Sequence, residues 1–178
     1  GDQANMKSSA ESFVSHDADI MIGVATPAAQ ALKNASDEIP VILGAVQDPV
    51  GAGLVESLEI PGSNATGLSN RTPSNEQMAL IKQFLPDATT IGVMYTTAED
   101  NAIISGQRAE QAAADLGFEV VTRTITTSND IAQAAESLAK EVDAIYVPND
   151  NVIASGMATL VDAADAFGIP VFPAADTM

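Results

Sequence analysis

Short, unbroken apolar runs, each stopped by a polar break and followed by a helical pattern, constrain the fold of this chain more than any other feature. In "DIMIGVATPAAQAL" the apolar run over 20–24 stops at Thr26 and Pro27, and an alanine-rich helical stretch follows. The same break recurs in "VMYTTAEDN" and "AIYVPNDN". A strand without polar alternation is buried on both faces, as in a parallel sheet, and residues 19–24 are expected to form one. Further strands are expected at 40–46, 66–68, 91–95, 118–125, 144–147 and 170–172. Helices are expected at 4–15, 27–35, 75–84, 101–116, 129–139 and 151–167, the last as one long element. Gly117 and Gly168 suit the left-handed residue that closes a helix. The β-α-β-α order predicts an α/β fold of doubly wound parallel sheets with helices on both faces.

The pattern also repeats. Asn5 aligns with Asn129, each precedes an aspartate (Asp19, Asp143), and both copies run through strand, polar break and helix to "IPV" at 39–41 and 169–171. Two similar lobes therefore fit better than one long sheet, over residues 1–70 and 71–178. The second copy has two strands ahead of its Asn129 helix, and the first has none. The expectation is an internal fragment of a protein of about 300 residues, at about 30 residues per βαβ unit. The N-terminal lobe would be missing its opening strands, and the C-terminal lobe its closing segments.

Composition removes whole classes of function. With 24 acidic against 7 basic residues the net charge is −17, so a nucleic-acid partner is not expected. There is no cysteine, which excludes disulfides, thiolate catalysis and Cys-zinc sites. The single histidine, His16 in "VSHDAD", reads as an exposed loop residue and cannot build a clustered metal site. No apolar run approaches the roughly 20 residues that span a bilayer. The opening Gly1-Asp2-Gln3-Ala4-Asn5 is polar and does not read as a signal peptide. No nucleophile is paired with a base, and "GAGLVESLEIPG" lacks the third glycine of a dinucleotide loop. No enzyme, metal or cofactor is expected.

Ligands of open α/β sheets bind beyond the carboxyl ends of the strands. Thr26 suits a helix N-cap and Pro27 the first helical turn. The amides after them, Ala28 included, would hold a small anion such as a carboxylate. Each polar break alone is an ordinary cap; six of them on one rim read as a lined cleft. No Lys or Arg stands among these residues, whereas Asp48, Glu99, Asp150 and Asp176 are available to an ammonium. A zwitterion, an amino acid, satisfies both conditions.

The stretches "DIMIGVATPAAQAL", "IPVILGAVQDPVGAGLV", "LIKQFLPDATTIGVMYTTAEDNA" and "VDAIYVPNDNVIASGMATLVDAADAFGIPVFPAADTM" resemble ABC-transporter substrate-binding proteins of the tryptophan/tyrosine-binding type, in order and over nearly the whole chain. The resemblance implies the type I periplasmic-binding fold: two α/β lobes that close over a small ligand, with aromatic amino acids as the ligand class. It implies an extracytoplasmic, lipid-anchored receptor that delivers solute to the membrane permease of an importer. On the family's ligand loops it places Thr26, Ala28, Asp48, Thr97, Glu99, Asn101, Asn149, Asp150 and Asp176. The competing expectation is the ligand-sensing domain of a transcription regulator, which shares the fold type.

Overall fold

The computed structural model describes residues 3–175. The chain divides into two compact units, Gly1–Arg71 and Thr72–Met178.

In unit 1, helix α1 (Gln3–Ser15) leads to strand β1 (Met21–Val24), helix α2 (Thr26–Ala35), and strands β2 (Val41–Val46) and β3 (Ala65–Ser69). The sheet order is β1-β2-β3, all parallel. The core forms on one face, where Ala10 of α1 and Ala29 and Leu32 of α2 meet Met21, Val41, Leu43 and Val46. Only half of β1 is buried. Met21 and Gly23 point into this core, while Ile22 and Val24 are each 65% exposed. The expectation that this strand is buried on both faces is therefore corrected. Its apolar residues fit a two-sided sheet, but among the described residues no helix of unit 1 packs on the second face.

Two local irregularities shape the strand ends of unit 1. β2 pairs with β3 at Leu43↔Gly67 and next at Val46↔Ser69, so β2 carries one extra residue between them. Ala45 in this bulge has φ 54, and Gly67 opposite has φ 155. A β-carbon on Gly67 would sit 2.1 Å from the Leu43 carbonyl oxygen, so only glycine lets β3 come this close.

Unit 2 is wound on both sides. Its elements are α3 (Ser74–Phe84), β4 (Thr90–Thr96), α4 (Asp100–Asp115), β5 (Glu119–Ile125), α5 (Ile131–Ala139), β6 (Ala144–Val147), α6 (Asn151–Ser155), α7 (Met157–Asp165) and β7 (Val171–Pro173). The parallel sheet runs β5-β4-β6-β7, so β4 and β6 are central. On one face Ile91, Val93, Ala144 and Tyr146 pack with Met78 and Ile81 of α3 and Ala109 and Ala113 of α4. On the other, Met94, Ile145 and Val147 pack with Ile131, Ala135 and Leu138 of α5 and Leu160 and Ala164 of α7. Here the unbroken apolar runs are buried on both faces, as parallel pairing requires.

The helix expected over 151–167 is broken into α6 and α7. Gly156 lies between them at φ −126, ψ 22, and a β-carbon there would come 2.6 Å from Ile131 Cδ1. Glycine gives the helix no propensity at this point, and α5 occupies the space a side chain would need. Similarly, the start of the helix expected at 129 is a 3-10 turn, Ser128–Asp130, closed by a reciprocal capping box between Thr127 and Asp130.

The repeated aspartate has a definite role in unit 2. Asp143 Oδ2 accepts from the Thr89 and Thr90 amides at 2.8 and 2.9 Å, tying the start of β6 to the start of β4. The Thr89 and Thr90 amides hold its carboxyl below the ordinary carboxylate range. A carboxyl lowered in the native state stabilises above its unfolded pKa near 4, and this is lost as pH falls through the native value. Asp143→Asn is accordingly expected to cost about 1 kcal/mol at pH 7, less than a buried charged hydrogen bond because the site is exposed. Urea unfolding at pH 7 and pH 3 checks this: the gap between wild type and variant should narrow as pH falls.

Candidate functional site

The carboxyl end of β4 turns into α4 through Thr96, Thr97, Ala98 and Glu99, and that of β6 turns into α6 through Pro148, Asn149 and Asp150. Adjacent central strands bring these two turns together, and their side chains interlock. Glu99, the N-cap residue of α4, is only 7% exposed. Its Oε2 accepts from Asn151 Nδ2 at 2.7 Å, from the Asn151 amide at 3.4 Å and from Asn101 Nδ2 at 3.4 Å. Among the described residues, the hydrogen bonds of the Glu99 carboxylate all fall on Oε2, which leaves Oε1 as an acceptor for something else. Asn101 Nδ2 also donates to the Asn149 carbonyl at 3.3 Å, while Asn101 Oδ1 is buried without a partner.

Asp150 is 3% exposed and caps α6, its Oδ1 accepting from the Ile153 amide at 2.9 Å. Its Oδ2 accepts from the Thr96 amide at 2.5 Å, so the same carboxylate ties the end of β4. Burial pushes the Asp150 carboxyl above the ordinary range; the Ile153 and Thr96 amides oppose this, and the Glu99 charge adds to it. Thr96 is fully buried and braces the turn, its hydroxyl donating to the Ile125 carbonyl and accepting from the Ala98 amide. Thr97 is exposed, with its amide on the Ile125 carbonyl. Asn149 is half-buried and its side chain reaches the Thr72 hydroxyl.

Five expected residues of unit 2, Thr97, Glu99, Asn101, Asn149 and Asp150, thus lie at the ends of neighbouring strands. Asp176 lies outside the described residues. Asn151 was absent from the expected set, yet it holds Glu99 with both its side chain and its amide. The signal was the "PNDN" stretch, in which the second asparagine follows a capping aspartate.

In unit 1 the strand ends carry Thr26, Ala28 and Asp48. The N-cap of α2 is Ala25, not Thr26, which corrects the capping expectation. Ala25 still belongs to the sheet, its amide donating to the Gly44 carbonyl, while its own carbonyl accepts the Ala29 amide as the first helical bond. One residue makes the whole turn from strand to helix, at φ 71, ψ 157. This region is nearly restricted to glycine and costs an alanine about 1–3 kcal/mol. Thr26 is then the first residue of α2 and is buried, Pro27 needs no amide partner, and Ala28 is half-buried. Asp48 is half-buried beside the β2 bulge, its Oδ1 accepting from the Gly51 amide at 2.9 Å. Among the described residues no cluster of acids and histidine is arranged to hold a metal ion.

The family described as "ABC transporter substrate binding protein" matches residues 1–178. A "Tyrosine-binding protein" of Clostridioides difficile (strain R20291) is 41% identical over 133 residues, 75% of this chain and 39% of that protein. Among solved structures, an ABC domain in complex with L-Trp from Streptococcus pneumonia is 39% identical, with a TM-score of 0.97 over 100% of this chain and 60% of that one. A conserved domain protein from Vibrio cholerae is 40% identical, with a TM-score of 0.96 over 99% of this chain and 60% of that one. The chain therefore spans less than two thirds of the length of these relatives.

Proposed function

The chain belongs to the ABC transporter substrate binding protein family, and from that premise we propose that it is the ligand-holding part of an extracytoplasmic receptor for an amino acid with an aromatic side chain. Its two α/β units on parallel sheets are of the type I periplasmic-binding fold class. The observation that carries the ligand assignment is the Glu99 carboxylate. It is nearly buried at a strand end and, among the described residues, has no basic partner and is anchored through one oxygen alone. A buried carboxylate without a counter-charge is costly, and a ligand ammonium removes that cost.

In this reading Glu99 takes the ammonium, while Asn101, Asn149 and Thr97 offer amide and hydroxyl groups beside it. In unit 1 the groups on offer are the amides at the start of α2, at Thr26 and Ala28, and the Asp48 carboxylate. The aromatic preference is supported by the relatives named for tyrosine and solved with L-Trp. The receptor hands its ligand to a membrane permease, is lipid-anchored, and performs no chemistry on what it binds.

Thermal melting of the full-length protein against each of the twenty amino acids tests this. L-tryptophan or L-tyrosine at 100-fold over its Kd should stabilise the native state by about 2.7 kcal/mol, a shift of several degrees. If none of the twenty shifts the melting temperature, the proposal fails.

A further inference from the structure

We propose that Asp150 is a positioning residue, which fixes Glu99 for the ligand without touching the ligand itself; the inference rests on the reading of Glu99 as the ammonium partner. Sequence alone ranks the two carboxylates together, as acids at strand ends. The structure separates them by what their oxygens do. Both oxygens of Asp150 are committed to backbone donors, Oδ2 to the Thr96 amide and Oδ1 to the Ile153 amide. Glu99 has one committed oxygen and takes its donors from side chains as well.

The two amides that Asp150 holds begin the two segments that converge on Glu99. Thr96 is the last residue of β4, and the turn from it to Glu99 is stiffened by the bond from the Ala98 amide to the Thr96 hydroxyl. Ile153 lies in the first turn of α6, which opens with Asn151, the residue that holds Glu99 Oε2. One carboxylate therefore sets the height of the β4 end and the start of α6 relative to each other. The distance from Asn151 to Glu99 Oε2 follows from that setting. Asp150 makes no hydrogen bond to Glu99, so its influence runs through the backbone on either side. Asp150 is 3% exposed, less than Glu99, so an ammonium could reach it only by opening the turn that its two amide bonds hold.

A double-mutant cycle read by titration calorimetry with L-tryptophan decides the matter in the full-length protein. Asp150→Asn keeps the shape of the side chain but presents a donor to one of the two amides. It should weaken binding about 10-fold in the otherwise native protein, as loss of a supporting partner does elsewhere. In the Glu99→Gln background the same change should cost less than about 2-fold, because the contact it positions is already gone. Asp150→Ser, which can still cap Ile153 but falls short of Thr96, is expected to behave as Asp150→Asn does and serves if the latter does not fold. Leu160→Ala, a core truncation in α7 that destabilises unit 2 and removes no hydrogen bond of either turn, should leave the affinity unchanged. That control separates positioning from general loosening.

An equal loss in both backgrounds would mean that Asp150 meets the ligand directly, and would overturn the proposal. So would native affinity in Asp150→Asn and Asp150→Ser, or an equal loss in Leu160→Ala. If L-tryptophan and L-tyrosine fail to bind the native protein, or Glu99→Gln binds as the native protein does, the ammonium reading itself falls and takes this inference with it.

Discussion

Glu99→Gln should weaken L-tryptophan binding by about 2–5 kcal/mol, the range for losing one partner of a desolvated charge pair, or roughly 30-fold to several thousand-fold. Glutamine keeps the size of the side chain and an oxygen for Asn151 and Asn101, so the bonds now made to Oε2 survive. What disappears is the charge facing the ammonium. An analogue without the amine, indole-3-propionate, provides the comparison. It should bind the native protein weakly, because Glu99 is then left buried and unpaired, and Glu99→Gln should bind it at least as well. If calorimetry shows the same loss for both ligands, Glu99 contributes shape rather than charge. If it shows no loss for L-tryptophan, the ammonium is held elsewhere.

Gly67→Ala should be the most damaging single-methyl change in unit 1. The added carbon would lie 2.1 Å from the Leu43 oxygen, a backbone atom that cannot rotate away. The conformation at φ 155 is itself unfavourable for any residue with a β-carbon. Strain and overpacking together are expected to cost about 3–5 kcal/mol. Relief would require β3 to separate from β2, and the β2 bulge that precedes Gln47 and Asp48 would shift with it. Urea unfolding measures the loss, and a change below about 1 kcal/mol would show that the β2-β3 pairing yields more easily than a parallel ladder with a bulge should.

The parallel sheets were legible because they depend on local pattern. β6 was expected at 144–147 and is found there, since Ala144-Ile145-Tyr146-Val147 is apolar throughout and its place between β4 and β7 buries every residue. What one-dimensional pattern cannot carry is the identity of the neighbour. Ile22 and Val24 are as apolar as Ile145 and Val147, yet they face outward, because burial is decided by whether a helix packs on that face. Gly156 looked tolerable within a helix until Ile131 was seen to occupy the space beside it. At the site, chemistry marked Glu99 and Asp150 equally, and only the hydrogen bonds separate them. Nothing in an alanine announces that Ala25 bears the whole strand-to-helix turn, because its positive φ is imposed by the Gly44 carbonyl on one side and α2 on the other.

The one-sided packing of unit 1 has a colloidal consequence. Ile22 and Val24 of β1 and Leu68 of β3 leave apolar side chains in water, on a molecule whose formal charge is −17. Mutual repulsion is what keeps such surfaces on neighbouring molecules from meeting. That protection weakens as added salt shortens the reach of the charges, and it vanishes as acidity approaches the pI of about 4.1. Dilute, near-neutral, low-salt buffers are therefore the conditions in which this chain stays dispersed.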